Sequence, residues 1–139
     1  MIIADTGFWV ALANDRDKYH ELAINALNGL REPLITTWPV LTETCHLLLK
    51  RRGIEAELGF IRSLQQGAFM VFDLREEHNS LLLRLMEKYA DLPMDLADAS
   101  LVILAEELHE GRILSTDRRD FQTYRWKNTA PFTNLLLLN

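Results

Sequence analysis

Four short apolar runs punctuate the chain, and the first three give way to longer segments with helical spacing. Residues 1–4 (MIIA) stop at Asp5, residues 33–38 (PLITTW) at Pro39, residues 68–72 (AFMVF) at Asp73, and residues 112–116 (RILST) at Asp117. Runs this short and this apolar are the mark of strands buried on both faces. Strands separated by helices cannot pair through tight hairpins; they need crossover connections, which make them parallel. The pattern therefore predicts an α/β fold, a three-layer α/β/α sandwich with a central parallel sheet.

The intervening segments read as helices. Thr6 is expected to cap one running to Asn14, and Asp17 to cap a second whose apolar stripe is Tyr19, Leu22, Ala23, Ala26, Leu27 and Leu30, weakened at its end by Gly29. Pro39 opens a helix to Arg52 that Gly53 closes. Further helices are expected over residues 54–66, over 75–89 with Leu82, Leu85, Met86 and Tyr89 on one face, and over 93–109, the longest, with Gly111 at its stop. Residues 68–72 are expected to form a third central strand, and residues 133–138 an added edge strand. With no linker or repeat, residues 1–139 read as a single domain.

At 139 residues and 48% hydrophobic, the chain can bury a core without disulfides, and its one cysteine excludes a disulfide scaffold. The start of the sequence lacks the basic region of a signal peptide, and no apolar run approaches the roughly 18 residues of a membrane span. The expected setting is the cytoplasm, with no membrane partner. A net charge of −5 advertises no polyanion, so an anionic substrate would need a local arrangement.

Ligands of open parallel sheets bind beyond the carboxyl ends of the strands. Asp5 and Asp117 stand there, each directly after an apolar run. Glu43 lies in the first turn or so of the helix after the second strand, and Asp98 interrupts the apolar stretch LADASLVI, where an uncompensated carboxylate costs several kcal/mol. Singly, each has an ordinary explanation: a helix cap, a solvated helix residue, a hydrogen-bonded buried acid, a turn residue. Together, four acids converging from separate segments repel one another, which calls for raised pKa values or a bound divalent cation. All-oxygen ligands favour Mg²⁺ or Mn²⁺ over Zn²⁺.

These residues, in this order, resemble the PIN-domain nucleases: Asp5-Thr6-Gly7 after a strand, Glu43 within PVLTE, Asp98 within LADAS, and Ser115-Thr116-Asp117 followed by Asp120-Phe121. The resemblance covers nearly the whole chain, and the size is similar to that of the VapC-type toxins of prokaryotic toxin–antitoxin pairs. It implies a Mg²⁺-dependent endoribonuclease whose acidic quartet is Asp5, Glu43, Asp98 and Asp117, supported by the hydroxyls of Thr6 and Ser115. Within it, Asp5 and Asp98 are assigned as central metal ligands, Asp117 as a ligand directly or through water, and Glu43 as a ligand or water-orienting base. The implied partners are RNA, a small antitoxin protein and a second copy of the chain in a homodimer. Gly7 departs from the pattern, since Ser or Asn is commoner there. Asp95 and Asp120 are additional acids, Asp120 being expected to serve surface solvation.

An acidic pocket approaches RNA only with flanking cations. Arg118 and Arg119, which adjoin Asp117, are the expected RNA-binding residues, and the cluster from Lys50 to Arg52 is the next candidate. Phe121, Tyr124 and Trp126 alternate with charges and are candidate stacking residues, although core packing is the simpler role for Phe121. Other chemistries fare worse. Cys45 and His46 point about 100° apart on a helix and form no dyad, the four histidines lack metal-ligand spacing, and Gly7 stands where an aspartyl phosphatase would need a second Asp. A noncatalytic interaction domain on the same fold, or a housekeeping nuclease without an antitoxin, are the competing readings.

Overall fold

The computed structural model describes residues 1–137. Its core is a five-stranded parallel sheet in the order β3-β2-β1-β4-β7, built from β1 (Ile2–Ala4), β2 (Leu34–Thr37), β3 (Met70–Phe72), β4 (Arg112–Leu114) and β7 (Thr133–Asn134). Helices α1 (Thr6–Ala13) and α2 (His20–Gly29) connect β1 to β2, and α3 (Trp38–Arg52) and α4 (Ile54–Gln65) connect β2 to β3. A 3₁₀ turn at Glu76–His78, then α5 (Asn79–Lys88) and α6 (Leu96–Leu108), return the chain across the sheet to β4. A short helix, α7 (Asp120–Thr123), and a small antiparallel pair, β5 (Arg125–Trp126) and β6 (Ala130–Pro131), lead into β7.

The first two crossovers step one way from β1 and the third steps back, so right-handed connections place their helices on opposite faces. Packing agrees: α1 lies against α2 and α3, α3 against α4, and α5 against α6. The α/β/α sandwich is thus realised. Its midline is β1, whose Ile3 and Ala4 are fully buried, and the run Leu101 to Ala105 of α6 is buried throughout. Neighbouring strands β1 and β4 leave toward opposite sides, which makes their carboxyl ends the switch point of the sheet.

Several boundaries differ from expectation for local reasons. Asp5, not Thr6, caps α1: its Oδ1 accepts from the Thr6 amide at 2.7 Å. Asp17 turns the chain by accepting from the Tyr19 amide at 2.9 Å, so α2 begins only at His20. The third apolar run forms an edge strand, half-exposed and paired only with β2. Helix α6 starts after Pro93, because the Asp95 side chain caps it at the Asp98 amide; at 13 residues it is shorter than α3 at 15. It stops at His109, in the left-handed conformation, ahead of Gly111. Gly111 serves close packing instead, since a β-carbon there would lie 2.7 Å from Trp126 Nε1 and 2.8 Å from the Pro131 carbonyl oxygen. The expected last strand is observed over Thr133–Asn134 only, and Leu138 lies outside the described residues. Among the described residues no helix is long and apolar enough to cross a membrane.

Candidate active site

At the switch point the β1 and β4 registers align Ala4 with Leu114, and the Asp5 amide donates to the Leu114 carbonyl at 3.0 Å. Asp5 therefore emerges level with Ser115. Ser115, fully buried, donates its hydroxyl to Asp5 Oδ2 at 3.0 Å and accepts the Asp117 amide at 3.0 Å, so one side chain orders both acids. Ser115 is itself bracketed by Asn134 of β7, whose Oδ1 accepts its amide at 3.2 Å and whose Nδ2 donates to its carbonyl at 2.9 Å. Asp117 Oδ1 accepts the amides of Arg119 and Asp120, both at 2.9 Å, and so turns the chain into α7.

Helices deliver the other two acids. Asp98, in the first turn of α6, accepts the Tyr124 hydroxyl on Oδ2 at 2.8 Å. Glu43 sits in the second turn of α3, slightly later than expected. Asp5, Glu43, Asp98 and Asp117 all line one cavity of about 500 Å³, together with Thr6, Gly7, Thr116, Asp95 and Asp120. No Lys or Arg forms an ion pair with any of the four, among the described residues. The electrostatic result follows. Burial, aided by the charges of Glu43 and Asp117, pushes the Asp5 carboxyl up to about 7 against the bonds from Thr6 and Ser115. Burial and the nearby Asp5 charge push Asp98 up to about 8, although the Tyr124 bond works the other way.

The hydroxyls divide. Ser115 supports the acids; Thr6 faces the same cavity, but its buried Oγ1 has no partner among the described residues. Asp120 is not a surface-solvated residue: its side chain is only 16% exposed, it lines the cavity, and burial beside Asp117 raises its pKa. Arg119 is held by Asp120 at 3.1 Å, and Arg118 borders an adjacent cavity beyond Asp117. The cations that line the acid cavity are Lys18 and Arg51. Arg51 was detectable in the sequence, because 43, 47 and 51 repeat at i, i+4, i+8 on one helix face; Lys18 follows an irregular turn and left no such signal.

Tyr124 is fully buried with its hydroxyl on Asp98, which removes it as a stacking platform, and Phe121 is buried too. Burial raises the Cys45 thiol pKa, in keeping with an inert cysteine. Glu77, His78 and Glu107, which have no ligand-like spacing in sequence, come together with ligand atoms within 4.8 Å. There Arg75 already meets Glu77 at 2.8 Å and Glu107 at 2.9 Å, and Glu107 lies about 13 Å along α6 from Asp98.

Comparisons with known proteins point one way. A family model described as the PIN domain matches residues 2–127. The chain is 28% identical over 132 residues to Ribonuclease VapC26 of Mycobacterium tuberculosis, covering 95% of this chain and 98% of that protein. It also superposes on the crystal structure of M. tuberculosis VapC20, titled a sarcin–ricin loop cleaving toxin, with a TM-score of 0.80 at 20% identity, over 86% of this chain and 92% of that one.

Proposed function

Because the chain belongs to the PIN-domain family, we propose that residues 1–139 act as one metal-dependent endoribonuclease domain, the toxin of a toxin–antitoxin pair working in the cytoplasm. The observation that carries this reading is the cavity itself: buried Asp5 and partly buried Asp98 share it with Glu43 and Asp117, and no Lys or Arg forms an ion pair with any of the four among the described residues. An all-carboxylate set of this kind fits a hard divalent cation, Mg²⁺ with Mn²⁺ as a substitute.

Asp5 and Asp98 would hold the ion, with Asp117 as a further ligand directly or through water. When bound, such an ion neutralises phosphate oxygens and makes a bound water more acidic. Glu43 orients the attacking water and takes its proton, for which a carboxylate at the cavity wall without a cationic partner is suited. Ser115 fixes the angle of the Asp5 carboxylate and Tyr124 that of Asp98, so neither reorganises as substrate arrives. Arg118 and Arg119 form a basic rim just beyond Asp117.

The ribonuclease relative favours RNA as substrate and a VapC-type pairing with a small antitoxin. An apolar groove of about 410 Å³ lined by Trp9, Leu12, Leu27, Phe60 and Phe69 suits an apolar helix of that antitoxin. Exposed Trp38 and Leu96 supply apolar surface for a homodimer.

The test is cleavage of a mixed RNA pool with Mg²⁺, with Mn²⁺ and with EDTA, paired with induced expression in a bacterial host. Cuts that need the metal, and growth arrest by the parent but not by Asp98→Asn, are expected. Equal cutting in EDTA overturns the metal-dependent reading, and metal-dependent cutting without growth arrest overturns the toxin assignment.

A further inference from the structure

Lys18 and Arg51 share a cavity with the aspartates yet pair with none of them among the described residues. The Lys18 ammonium rests 4.9 Å from the centre of the Tyr19 ring, and within the Lys50-Arg51-Arg52 cluster it is Arg52 that is engaged, with Asp15 at 3.3 Å. Glu43, Leu47 and Arg51 line the cavity as successive turns of α3, which sets Arg51 about 12 Å along the helix from Glu43. The two cations of the cavity thus stand apart from the switch-point carboxylates, Arg51 further along α3 and Lys18, next to Asp17, in the loop before α2.

With a divalent cation held by the carboxylates, a ligand that meets both ends carries repeated negative charge, as a nucleic-acid backbone does. Resting on the nuclease reading, we propose that Lys18 and Arg51 form a subsite for a backbone phosphate of RNA neighbouring the scissile one. The strand then runs along α3 from Glu43 toward Arg51. The site reads charge and not base identity, because an ammonium and a guanidinium on phosphate carry no sequence information.

The experiment places Lys18→Gln and Arg51→Gln together in the Asp98→Asn chain, so that RNA survives a binding titration in Mg²⁺ followed by fluorescence anisotropy. Affinity is expected to fall about tenfold or more at low salt for several sequences alike. The slope of log affinity against log salt should become shallower by about 0.7 for each ion pair lost. Arg51→Lys should recover most of that slope, and thermal melting should be unchanged. Shortening the RNA past the neighbouring phosphate should weaken the Asp98→Asn chain but not the triple variant. Unchanged affinity and slope in the triple variant overturn the subsite. If that variant melts early, charge reversal by Arg51→Glu alone replaces it, and unaltered binding there overturns the subsite equally. Cleavage by the unmodified chain is scored separately: if it cuts RNA while the slopes coincide, only the subsite falls, and if it cuts none, the nuclease reading falls.

Discussion

Thr116 Oγ1 stands 1.9 Å from where a β-carbon on Gly7 would lie. The first turn of α1 and the loop after β4 approach this closely only because position 7 has no side chain. The departure of Gly7 from the family pattern thus has a local complement, a hydroxyl entering the same space from the other segment. Gly7→Ala should destabilise the fold by a net ~1 kcal/mol or more, overpacking costing about 1–3 kcal/mol against a helix-propensity gain of about 0.5–1 kcal/mol. Adding Thr116→Ala should recover most of the loss in a denaturant melt. An unchanged midpoint for Gly7→Ala alone would mean that Thr116 turns aside freely.

Asp98→Asn should abolish Mg²⁺-dependent cleavage while raising stability above pH 7. The amide oxygen still accepts the Tyr124 hydroxyl, and the carboxylate that burial and the Asp5 charge disfavour is gone. Paired activity and urea-melt measurements at pH 8 check both halves.

The pH dependence of metal-free protein carries a definite sign. Asp5 near 7 and Asp98 near 8 lie above the ordinary carboxyl value of 3.8, so between those limits the folded state binds more protons than the unfolded one. Stability from this pair is full below about pH 4 and declines as pH rises through 7 and 8, with a slope of about 1.4 kcal/mol per pH unit for each extra proton held. Mg²⁺ or Mn²⁺ should reverse the decline, adding about 2.7 kcal/mol at a hundredfold excess over Kd. Melting curves from pH 5 to 9, with and without the ion, measure it.

Ser115→Ala removes a bond that lowers the Asp5 pKa. The Asp5 carboxyl should therefore titrate above 7 in metal-free protein, followed by carbon-detected NMR. Loss of the hydroxyl shared by Asp5 and the Asp117 amide should cost about 1–3 kcal/mol. Titration at or below the parent value would show that Ser115 does not govern Asp5.

The acids were legible because their positions depend on local pattern. Asp5 and Asp117 end apolar runs, and Asp98 breaks one. What the sequence concealed depends on packing between distant segments. The edge placement of β3 follows from which way each crossover turns, and the three residues of that strand carry no mark of having one neighbour or two. Burial of Tyr124 arises where the end of α7 meets α6, a contact no periodicity encodes. Lys18 escaped notice for the same reason: Asp17 turns the chain before the helix, and the cavity it then faces is assembled from α1, α3, α6 and the loop after β4.

The Ser115 to Asp5 bond spans 110 positions of the chain, and the Asn134 bracket adds a further segment beyond it. During synthesis Asp5, Glu43 and Asp98 leave the ribosome before the hydroxyl that orders the first of them, and the Asn134 side chain that brackets the Ser115 backbone comes later still. A nascent chain therefore carries every acid of the quartet except Asp117 without their final geometry. The geometry of the quartet is completed only once β4 and β7 have both been made and Ser115 and Asn134 have met.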